Sequence, residues 1–387
     1  MRVLVALTYY YPHWTGLTAF AQRISEGLAA RGHQITVVTS HYHGDLPREE
    51  VHCGVRIVRV PAWLRLSRGQ VMPGFLPTVS RLVREHDVVQ VHTPMLETWP
   101  VGLIAHRAGR QMLMTHHGDL LMPDGLWNRT VQHTVGYLLR RGAQVADRIS
   151  IYTQDYVDHS AFLQPHAAKI ITVFPPVVFP RADQEAARAW RQSLGLAEAR
   201  VVGFAGRFVE EKGFDYLLKA IPQVVERMPN ARFVFAGEHR VVYERFYQHC
   251  LPLIERYRPY LVMLGLITDP QQMANFYALC DVFALPSRSD CLASVQIEAM
   301  LAGTPVVATD IPGARQAVLR SGMGRLVEPR SERALAEGLI EVLNRREAYL
   351  RPYEEILATF DPQASIVQYE RLLQSMCCAQ GGQPHRG

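Results

Sequence analysis

Short apolar, β-branched runs alternate with amphipathic helical patterns along almost the whole chain. Strands that are buried on both faces of a parallel sheet are typically continuous apolar runs, and helices join them. The alternation therefore predicts an α/β protein with parallel sheets, with helices over 18–30 and 216–227 among others. The predicted strands are 3–7, 35–39, 55–60, 88–92, 112–115, 149–152, 170–174, 201–205, 232–236, 262–265, 282–285 and 306–309.

The alternating pattern restarts once, after a proline-rich segment at 175–180 and a polar helical stretch at 183–193. A length of 387 residues also favours two domains. We therefore predict two doubly wound domains, residues 1–180 and 181–359. In such domains ligands bind outside the carboxyl ends of the strands, so chemistry is expected in the loops that follow them.

Composition excludes several classes of protein. No segment has the ~18 consecutive apolar residues that a membrane span needs. The N-terminal apolar run is short and lacks a small-residue cleavage site, which favours a first buried strand over a signal peptide. The cysteines form no CxxC pair, so the sequence indicates neither a zinc site nor a disulfide framework, and a reducing cytoplasm fits. The tail after Cys378 is expected to be disordered.

Charge is distributed unevenly. Residues 1–180 contain 17 Lys and Arg against 12 Asp and Glu, whereas the rest of the chain is balanced. A basic first half favours anionic partners such as a lipid phosphate, with peripheral attachment to the inner face of a membrane, although a pI near 8.9 is also ordinary. The stretches 63–68 and 77–86 combine apolar and arginine residues, which fits either a membrane-facing surface or a helix packed on its own sheet. No nucleic-acid-binding pattern is present.

Two carboxylates, Asp290 and Glu298, lie in the segment 286–313 with seven residues between them. Asp290 follows a predicted strand in a small-residue loop, and Glu298 is expected about two turns into the next helix, at ~1.5 Å rise per residue. A helix start after a tight loop binds anions, because its first backbone N–H groups have no internal partner. Glu298 could instead accept hydrogen bonds from hydroxyls. The segment therefore predicts a phosphate at one end of a ligand and a sugar at the other.

A second candidate segment, 204–213, follows another predicted strand and contains Arg207 and Lys212 between glycines. A planar guanidinium and a compact ammonium both suit a diphosphate whose leaving charge must be neutralised. The alternative is an exposed ion pair with Glu210 or Glu211.

The first half offers two candidate loops. Gly16, in a turn before a helix, could let the backbone approach a phosphate or an acceptor. The turn 115–119 holds His116, His117 and Asp119. A histidine there, His117 more than His116, could donate to a phosphate or a sugar hydroxyl, while Asp119 could orient it or accept from a substrate hydroxyl. His116 and Asp119 are thus possible acceptor-binding or orienting residues, and the alternative is a pair of solvated loop histidines. No third metal ligand lies nearby in sequence, so no metal is expected.

Loops after two further strands could hold a base through backbone groups and an apolar face. They contain Gly237 with His239, and Gly265 with Leu266 and Ile267. An ordinary turn explains the same residues equally well.

Three blocks, GRFVEEKGFDYLLKA, PSRSD…QIEAMLAGTPVVATDIPG and THHGD, together resemble the GT-B retaining glycosyltransferases of family 4, the glycosyltransferase group 1 type. The resemblance covers nearly the whole chain. It implies two Rossmann-like domains facing a central cleft, with acceptor binding by 1–180 and nucleotide-sugar binding by 181–359. It also implies a last helix, 360–376, that crosses back to the first domain.

The resemblance also implies roles for individual residues. Arg207 and Lys212 would bind the donor diphosphate, and Glu298 would hold the ribose hydroxyls. Asp290 would face the donor sugar, and His117 would lie near that sugar and the leaving phosphate. Gly16 would lie near the reaction centre. Further donor-binding candidates are Cys291, Leu292, Ala293 and Ser294.

The function that this implies is retaining transfer of a sugar from a nucleotide-diphosphate sugar to a hydroxyl acceptor, which could be a lipid-linked or cell-envelope glycan precursor. Neither a cofactor nor a metal is expected. This chain departs from the family pattern at the first carboxylate. The family usually has Glu followed by Gly-Phe-Gly there, whereas this chain has Asp290 followed by Cys-Leu-Ala. A GT-B epimerase or phosphorylase, or a non-catalytic GT-B protein that binds a glycan or a partner transferase, therefore stays open.

Overall fold

The computed structural model describes residues 1–66, 69–119, 126–238 and 244–378. The chain divides into two compact units, one formed by Met1–Pro176 with Pro362–Gly387 and the other by Val177–Asp361. The sequence placed this boundary after residue 180.

The first unit is built on an eight-stranded sheet in the order β10-β9-β8-β7-β1-β2-β4-β3. Its neighbouring strands are parallel, apart from β3, which pairs antiparallel with β4. A separate two-stranded antiparallel hairpin consists of β5 and β6. The strands are β1 (Arg2–Ala6), β2 (Gln34–His41), β3 (Glu49–His52), β4 (Val55–Pro61), β5 (Leu64–Leu66), β6 (Gly69–Val71), β7 (Val88–Thr93), β8 (Gln111–His116), β9 (Arg148–Ile151) and β10 (Ile170–Thr172). The helices are α1 (Gly16–Ala30), α2 (Phe75–Leu82), α3 (Thr98–Arg107), α4 (Leu126–Val145) and α5 (Gln154–His159), with 3-10 turns at Val83–Glu85 and Gln164–Lys169.

The second unit has a six-stranded sheet in the order β13-β12-β11-β14-β15-β16, in which all the described pairs are parallel. The strands are β11 (Arg200–Ala205), β12 (Ala231–Ala236), β13 (Leu261–Gly265), β14 (Val282–Leu285), β15 (Val306–Thr309) and β16 (Gly324–Val327). The helices are α6 (Gln184–Ser193), α7 (Phe214–Arg227), α8 (Phe246–Tyr257), α9 (Pro270–Leu279), α10 (Ser294–Leu301), α11 (Gln316–Ser321), α12 (Glu332–Asn344), α13 (Arg346–Tyr349) and α14 (Tyr353–Thr359), with 3-10 turns at Glu210–Lys212 and Arg258–Tyr260.

Apolar burial explains the choice of strands. The residues of β14 are all buried, because helices cover both faces of a parallel sheet. Phe204, Phe208, Phe214 and Phe235 pack against one another in the core of the second unit. The predicted class, α/β with two doubly wound parallel-sheet domains, is therefore confirmed.

The last helix, α15 (Pro362–Cys378), belongs to the first unit. Gly27 of α1 leaves room for Ile366, whose side chain would lie 2.6 Å from a Cβ at that position. Glu370 of α15 pairs with Arg31 and His33, and Tyr369 donates to Ser150. The end of the chain thus completes the packing of its beginning.

The sequence missed four strands: β3, β5, β6 and β16. They are short, and the first three lack a continuous apolar run. The stretch 77–86 forms α2 and a 3-10 turn whose apolar residues Val79, Leu82 and Val83 are buried. Of its two interpretations, packing within the unit is therefore correct and the membrane-facing one is wrong. Among the described residues, no helix combines the length and the apolar character needed to cross a membrane. The tail after Cys378 lies outside those residues.

Candidate functional site

Two of the predicted binding loops follow neighbouring strands of the second unit. Strand β11 precedes the loop with Arg207 and Lys212, and β14 precedes the loop with Asp290. These two strands are adjacent, and the strand order changes direction between them. A switch of this kind leaves the crevice in which doubly wound sheets bind nucleotides. The fold therefore brings these predicted residues to one place.

Lys212 and Asp290 form an ion pair. Lys212 Nζ donates to Asp290 Oδ2 at 2.6 Å, and Ser287 Oγ donates to the same oxygen at 3.1 Å. Burial alone would lower the pKa of Lys212, but the charges of Asp290 and Glu211 outweigh burial and raise it. The lysine is therefore a cation held beside a largely buried carboxylate. Sequence reasoning assigned Lys212 to the donor diphosphate and Asp290 to the donor sugar, and it did not predict this pair.

A further contact joins the same two loops and was missed from the sequence. Arg288 donates to both carboxylate oxygens of Asp215, at 2.8 and 3.0 Å, and to the backbone carbonyl of Glu210 at 2.6 Å. Asp215 is buried in the first turn of α7. We call this contact the loop clasp, because it fastens the loop of Asp290 to the start of α7. An aspartate two residues after Gly213, at a predicted helix start, was the available signal.

Glycine is required where the loops touch. Gly213 has φ 65°, and a Cβ there would lie 1.9 Å from the carbonyl oxygen of Pro286. Gly237 has φ 146°, and a Cβ would lie 1.9 Å from the carbonyl oxygen of Gly206. The N–H of Gly237 donates to the carbonyl of Gly265 at 2.7 Å. The loop of Gly237 had two interpretations, base binding and an ordinary turn. These contacts explain the glycine as part of an ordinary turn, with no need for a bound base.

The other base-binding candidates are Leu266, Ile267 and His239. Leu266 is exposed and Ile267 is partly exposed after β13, so both stay available to a ligand. His239 lies outside the described residues.

Glu298 lies on α10, which begins at Ser294. Its position is about one turn into the helix, not two, because residues 290–293 are not helical. Tyr277 Oη donates to one carboxylate oxygen at 3.1 Å and Ser294 Oγ to the other at 3.2 Å. Burial and the charge of Glu298 raise the pKa of Tyr277, so the phenol stays a donor. Tyr277 was not singled out from the sequence.

The residues that replace Gly-Phe-Gly face inward. Cys291, Leu292 and Ala293 are all buried. Burial, with a smaller contribution from Asp290, raises the pKa of the Cys291 thiol. Ala293 is the N-cap residue of α10 and makes no side-chain cap, and the first turn holds no acidic residue. Because the cap residue does not cover this helix start, the geometry permits an anion there, and the anion site stays a prediction.

In the first unit, both ring nitrogens of His117 are engaged. Nε2 lies 2.8 Å from Nδ1 of His92, and Nδ1 lies 2.5 Å from the hydroxyl of Tyr152. Phe20 packs edge-on against the ring of His117. Burial lowers the pKa of His92 to about 3, and burial with the neighbouring His92 and His116 places the pKa of His117 well below its usual value. His117 is therefore a neutral, internally bonded ring, and donation to a phosphate would require exchange of one of these bonds.

His116 and Asp119 are hydrogen-bonded to each other. His116 is buried, with Nδ1 3.0 Å from Thr93 Oγ1 and Nε2 3.1 Å from Asp119 Oδ1. Burial would raise the pKa of Asp119, but hydrogen bonds from His116 and Ser160 lower it overall. Of the two histidines in the turn that Asp119 could orient, this arrangement favours His116.

Gly16 is the first residue of α1, after a capping box made by Thr15 and Thr18. A Cβ at Gly16 would meet nothing within 4 Å. Packing therefore does not require glycine here, and a role for Gly16 beside a ligand stays a prediction, since many first turns carry a glycine.

Two family models match the chain. The model for a glycosyl transferase 4-like domain matches residues 15–176, and the model for glycosyl transferases group 1 matches residues 199–345. Each match falls within one of the two units.

Curated relatives match across most of the chain. A GDP-mannose-dependent alpha-(1-6)-phosphatidylinositol monomannoside mannosyltransferase from Mycobacterium tuberculosis is 27% identical, over 89% of this chain and 90% of the relative. A D-inositol 3-phosphate glycosyltransferase from Segniliparus rotundus is 29% identical, over 81% of this chain and 73% of the relative.

Solved structures resemble the fold. Sucrose-phosphate synthase from Thermosynechococcus elongatus has a TM-score of 0.79 at 20% identity, covering 98% of this chain and 99% of that one. HepE from Anabaena, in complex with UDP, has a TM-score of 0.76 at 21% identity, covering 97% and 100%. These likenesses, the two family models and the relatives agree, and the chain belongs to the family 4 type of GT-B glycosyltransferases, which use nucleotide sugars.

Proposed function

We propose that this enzyme transfers a hexose from a nucleotide-diphosphate sugar to a hydroxyl acceptor with retention of configuration and without a metal. The observation that carries the proposal is the Lys212–Asp290 pair beside the uncapped start of α10, at the strand-order switch of the second unit. A cation and the first N–H groups of a helix at one point are suited to a diphosphate.

The donor is held at two points. Arg207, Lys212 and the start of α10 bind the diphosphate, and the Glu298 carboxylate, oriented by Tyr277 and Ser294, accepts from the ribose hydroxyls. Lys212 exchanges part of its contact with Asp290 for a phosphate oxygen. Asp290 is then available to a hydroxyl of the donor sugar.

The reaction proceeds on one face of the sugar. The acceptor oxygen bonds to the anomeric carbon on the side from which the diphosphate leaves, the bond from that carbon to the phosphate oxygen breaks with its electron pair, and the acceptor proton passes to the leaving phosphate. Arg207, Lys212 and the helix start stabilise the charge that develops on the leaving group.

The relatives guide the choice of substrates. Several are named as GDP-mannose-dependent enzymes acting on a phosphatidylinositol mannoside, and others as inositol 3-phosphate glycosyltransferases. We therefore propose GDP-mannose as the first donor to test and a phosphoinositol-bearing acceptor. The basic first half of the chain, with 17 Lys and Arg against 12 Asp and Glu in residues 1–180, supports an anionic acceptor.

The hairpin of β5 and β6 supports peripheral attachment of the cytoplasmic enzyme to a membrane. Trp63 and Leu64 are 79% and 60% exposed, and Leu64 pairs across the hairpin with the exposed Val71. An indole and aliphatic side chains beside the exposed Arg65 suit the interface of an anionic bilayer.

Vesicle sedimentation tests the attachment. We expect binding to anionic phosphatidylinositol vesicles and weaker binding to neutral ones, with a several-fold loss in Trp63→Ser/Leu64→Ser. Val51→Ser is the matched control, because Val51 is 71% exposed in the same unit but outside the hairpin. Equal binding by all three proteins would refute attachment through the hairpin.

A donor panel with product analysis tests the reaction. Wild-type protein is incubated with UDP, GDP and ADP sugars and a phosphoinositol acceptor, and the anomeric configuration of the product is read by NMR. The proposal expects an α-linked product from an α-linked donor. An inverted product would refute retention. Conversion of the nucleotide sugar without an acceptor would indicate the epimerase alternative, and absence of nucleotide binding would indicate the non-catalytic one.

A further inference from the structure

Three metal-ligating side chains converge in the first unit, where helix α1 meets the edge strand β3. They are Glu26 on α1, His52 at the end of β3 and Cys53 in the turn between β3 and β4. One donor atom from each lies within 4.8 Å of the other two. We propose that Glu26, His52 and Cys53 bind a zinc ion through a carboxylate oxygen, a ring nitrogen and a thiolate, with a water in the fourth position.

The chemistry of the donor set selects zinc. Thiolate, imidazole and carboxylate are the ligands that Zn²⁺ takes in proteins, at about 2.0–2.3 Å. Tetrahedral bonds of that length place donor atoms ~3–4 Å apart, so the present separations need only a small movement. Cys53 is exposed at a turn, so its side chain can make this movement. A Cys thiolate and the Glu carboxylate together balance the charge of the ion.

Neighbouring side chains already orient two of the ligands. The ring of His52 stacks on Tyr11 with centroids 3.7 Å apart and planes within 14°. Gln22 Nε2 donates to Glu26 Oε1 at 2.7 Å, and that oxygen lies 3.7 Å from His52 Nε2. Outer contacts of this kind hold metal ligands in position.

The backbone at Cys53 gives an independent reason to look for a role of its side chain. Cys53 has φ 45° and Gly54 has φ 77°, in a two-residue turn between antiparallel strands. Such turns favour Asn-Gly or Asp-Gly, because both central residues need positive φ. Cysteine has no advantage for this backbone. A thiol that binds an ion would justify its presence there.

The sequence did not indicate this site, because Glu26 is far from His52 and Cys53 along the chain and no CxxC pattern marks it. The ion would join α1 to the outer hairpin of the sheet. It takes no part in the proposed sugar transfer, so the two proposals stand or fall separately.

Metal titration of untagged, EDTA-dialysed protein tests the site. We expect one Zn²⁺ per chain, and we expect Co²⁺ to give a thiolate-to-cobalt charge-transfer band in the near ultraviolet. Cys53→Ser should abolish the band, and Cys53→Ser and His52→Ala should each weaken zinc binding at least tenfold. The control variants are Cys378→Ser and His43→Ala, which change an exposed cysteine and an exposed histidine elsewhere.

The variants are compared by circular dichroism in the absence of metal, so that unfolding is not mistaken for lost binding. Zn²⁺ should raise the melting temperature of the wild type and of both controls, but not of Cys53→Ser. Zinc affinities of Cys53→Ser and His52→Ala within twofold of the wild type, or a cobalt band that survives in Cys53→Ser, would overturn the proposal.

Discussion

At the scale of single residues, the Lys212–Asp290 pair sets the properties of the proposed donor site. The lysine and the carboxylate are both largely buried. Removing one partner of a buried pair leaves the other charge uncompensated, which is more costly than losing an exposed ion pair. The pair therefore joins the two loops of the proposed donor site, and a phosphate can take over the contact with Lys212.

We predict that Lys212→Ala lowers kcat/KM for the nucleotide sugar by about 10²–10³-fold, since it removes a cation that stabilises the leaving diphosphate. Lys169→Ala is the control, because Lys169 lies in the first unit and donates to the backbone carbonyls of Gln144 and Ala146. Steady-state kinetics with the accepted donor measures both variants. Near-normal kinetics of Lys212→Ala would remove Lys212 from the diphosphate site.

The buried histidines predict how stability depends on pH. The pKa values of His92 and His117 are lowered in the folded protein, mainly by burial, whereas in the unfolded chain each is near 6.5. Below pH 6.5 the unfolded state therefore binds more protons, and the free energy of unfolding falls as pH falls, for His92 down to about pH 3. It is insensitive to these groups above pH 7.

Urea denaturation between pH 8 and pH 5 checks this dependence. Each such histidine contributes a slope of up to about 1.4 kcal/mol per pH unit below its unfolded pKa. His92→Gln keeps a polar side chain but does not titrate, so its slope should be smaller by about that amount. An unchanged slope would contradict the assignment of a neutral His92.

Sequence reasoning located residues better than it located their partners. Arg207, Lys212, Asp290 and His117 were singled out because they follow predicted strands, and in a parallel sheet the carboxyl ends of strands share one edge. Their partners were not found. His92 ends a strand that reads as an ordinary apolar run, and Arg288 pairs with a residue 73 positions away. Such pairings depend on side-chain geometry, which spacing does not contain.

At the scale of elements, the loop clasp connects the two segments of the proposed donor site. Arg288 also stacks on Tyr216, 4.4 Å from its ring centre, so α7 and the loop after β14 are joined by charge and by packing. The clasp touches neither Lys212 nor Asp290 among the contacts described above. Its effect on the donor would therefore act through the positions of these two residues.

We predict that Arg288→Lys raises KM for the donor several-fold with a smaller change in kcat, because lysine cannot make the bidentate contact. Arg288→Ala should also lower stability by about 2–3 kcal/mol, since Asp215 is buried and, within the described part of the chain, keeps Lys219 as its one side-chain cation. Arg258→Lys, at an exposed pair in the same unit, is the control. Equal KM values for Arg288→Lys and the wild type would mean that the clasp is structural only.

Strands could be predicted from the sequence where both faces of the sheet are buried. The central strands of both sheets were found because they are continuous apolar runs. The antiparallel edge strand β3 and the small hairpin of β5 and β6 were missed, because exposed strands lack that pattern. The helix α2 was ambiguous for a related reason: an amphipathic helix has the same sequence pattern on a membrane as on its own sheet.

At the scale of the whole molecule, the last helix makes the first unit discontinuous in sequence. Besides pairing with α1, α15 supplies Tyr369, whose hydroxyl donates to Ser150, which in turn donates to Thr115. Thr115 immediately precedes the two histidines of the turn. The C-terminal helix thus supports the strand that presents His116 and His117, although it is encoded after the second unit.

Truncation before α15 tests this dependence on the last helix. A chain ending at residue 361 exposes the apolar surfaces of the first unit that α15 covers, including Phe20. We expect the first unit to melt at a clearly lower temperature, while the second unit, which keeps all its own segments, still binds the nucleoside diphosphate and is stabilised by it. Tyr369→Phe is the milder variant and should cost about 1 kcal/mol, because it removes one buried hydrogen bond. Differential scanning calorimetry with and without the nucleotide distinguishes the two transitions. If truncation lowered neither transition, α15 would be dispensable for the first unit; if it abolished nucleotide binding as well, the second unit would depend on the helix.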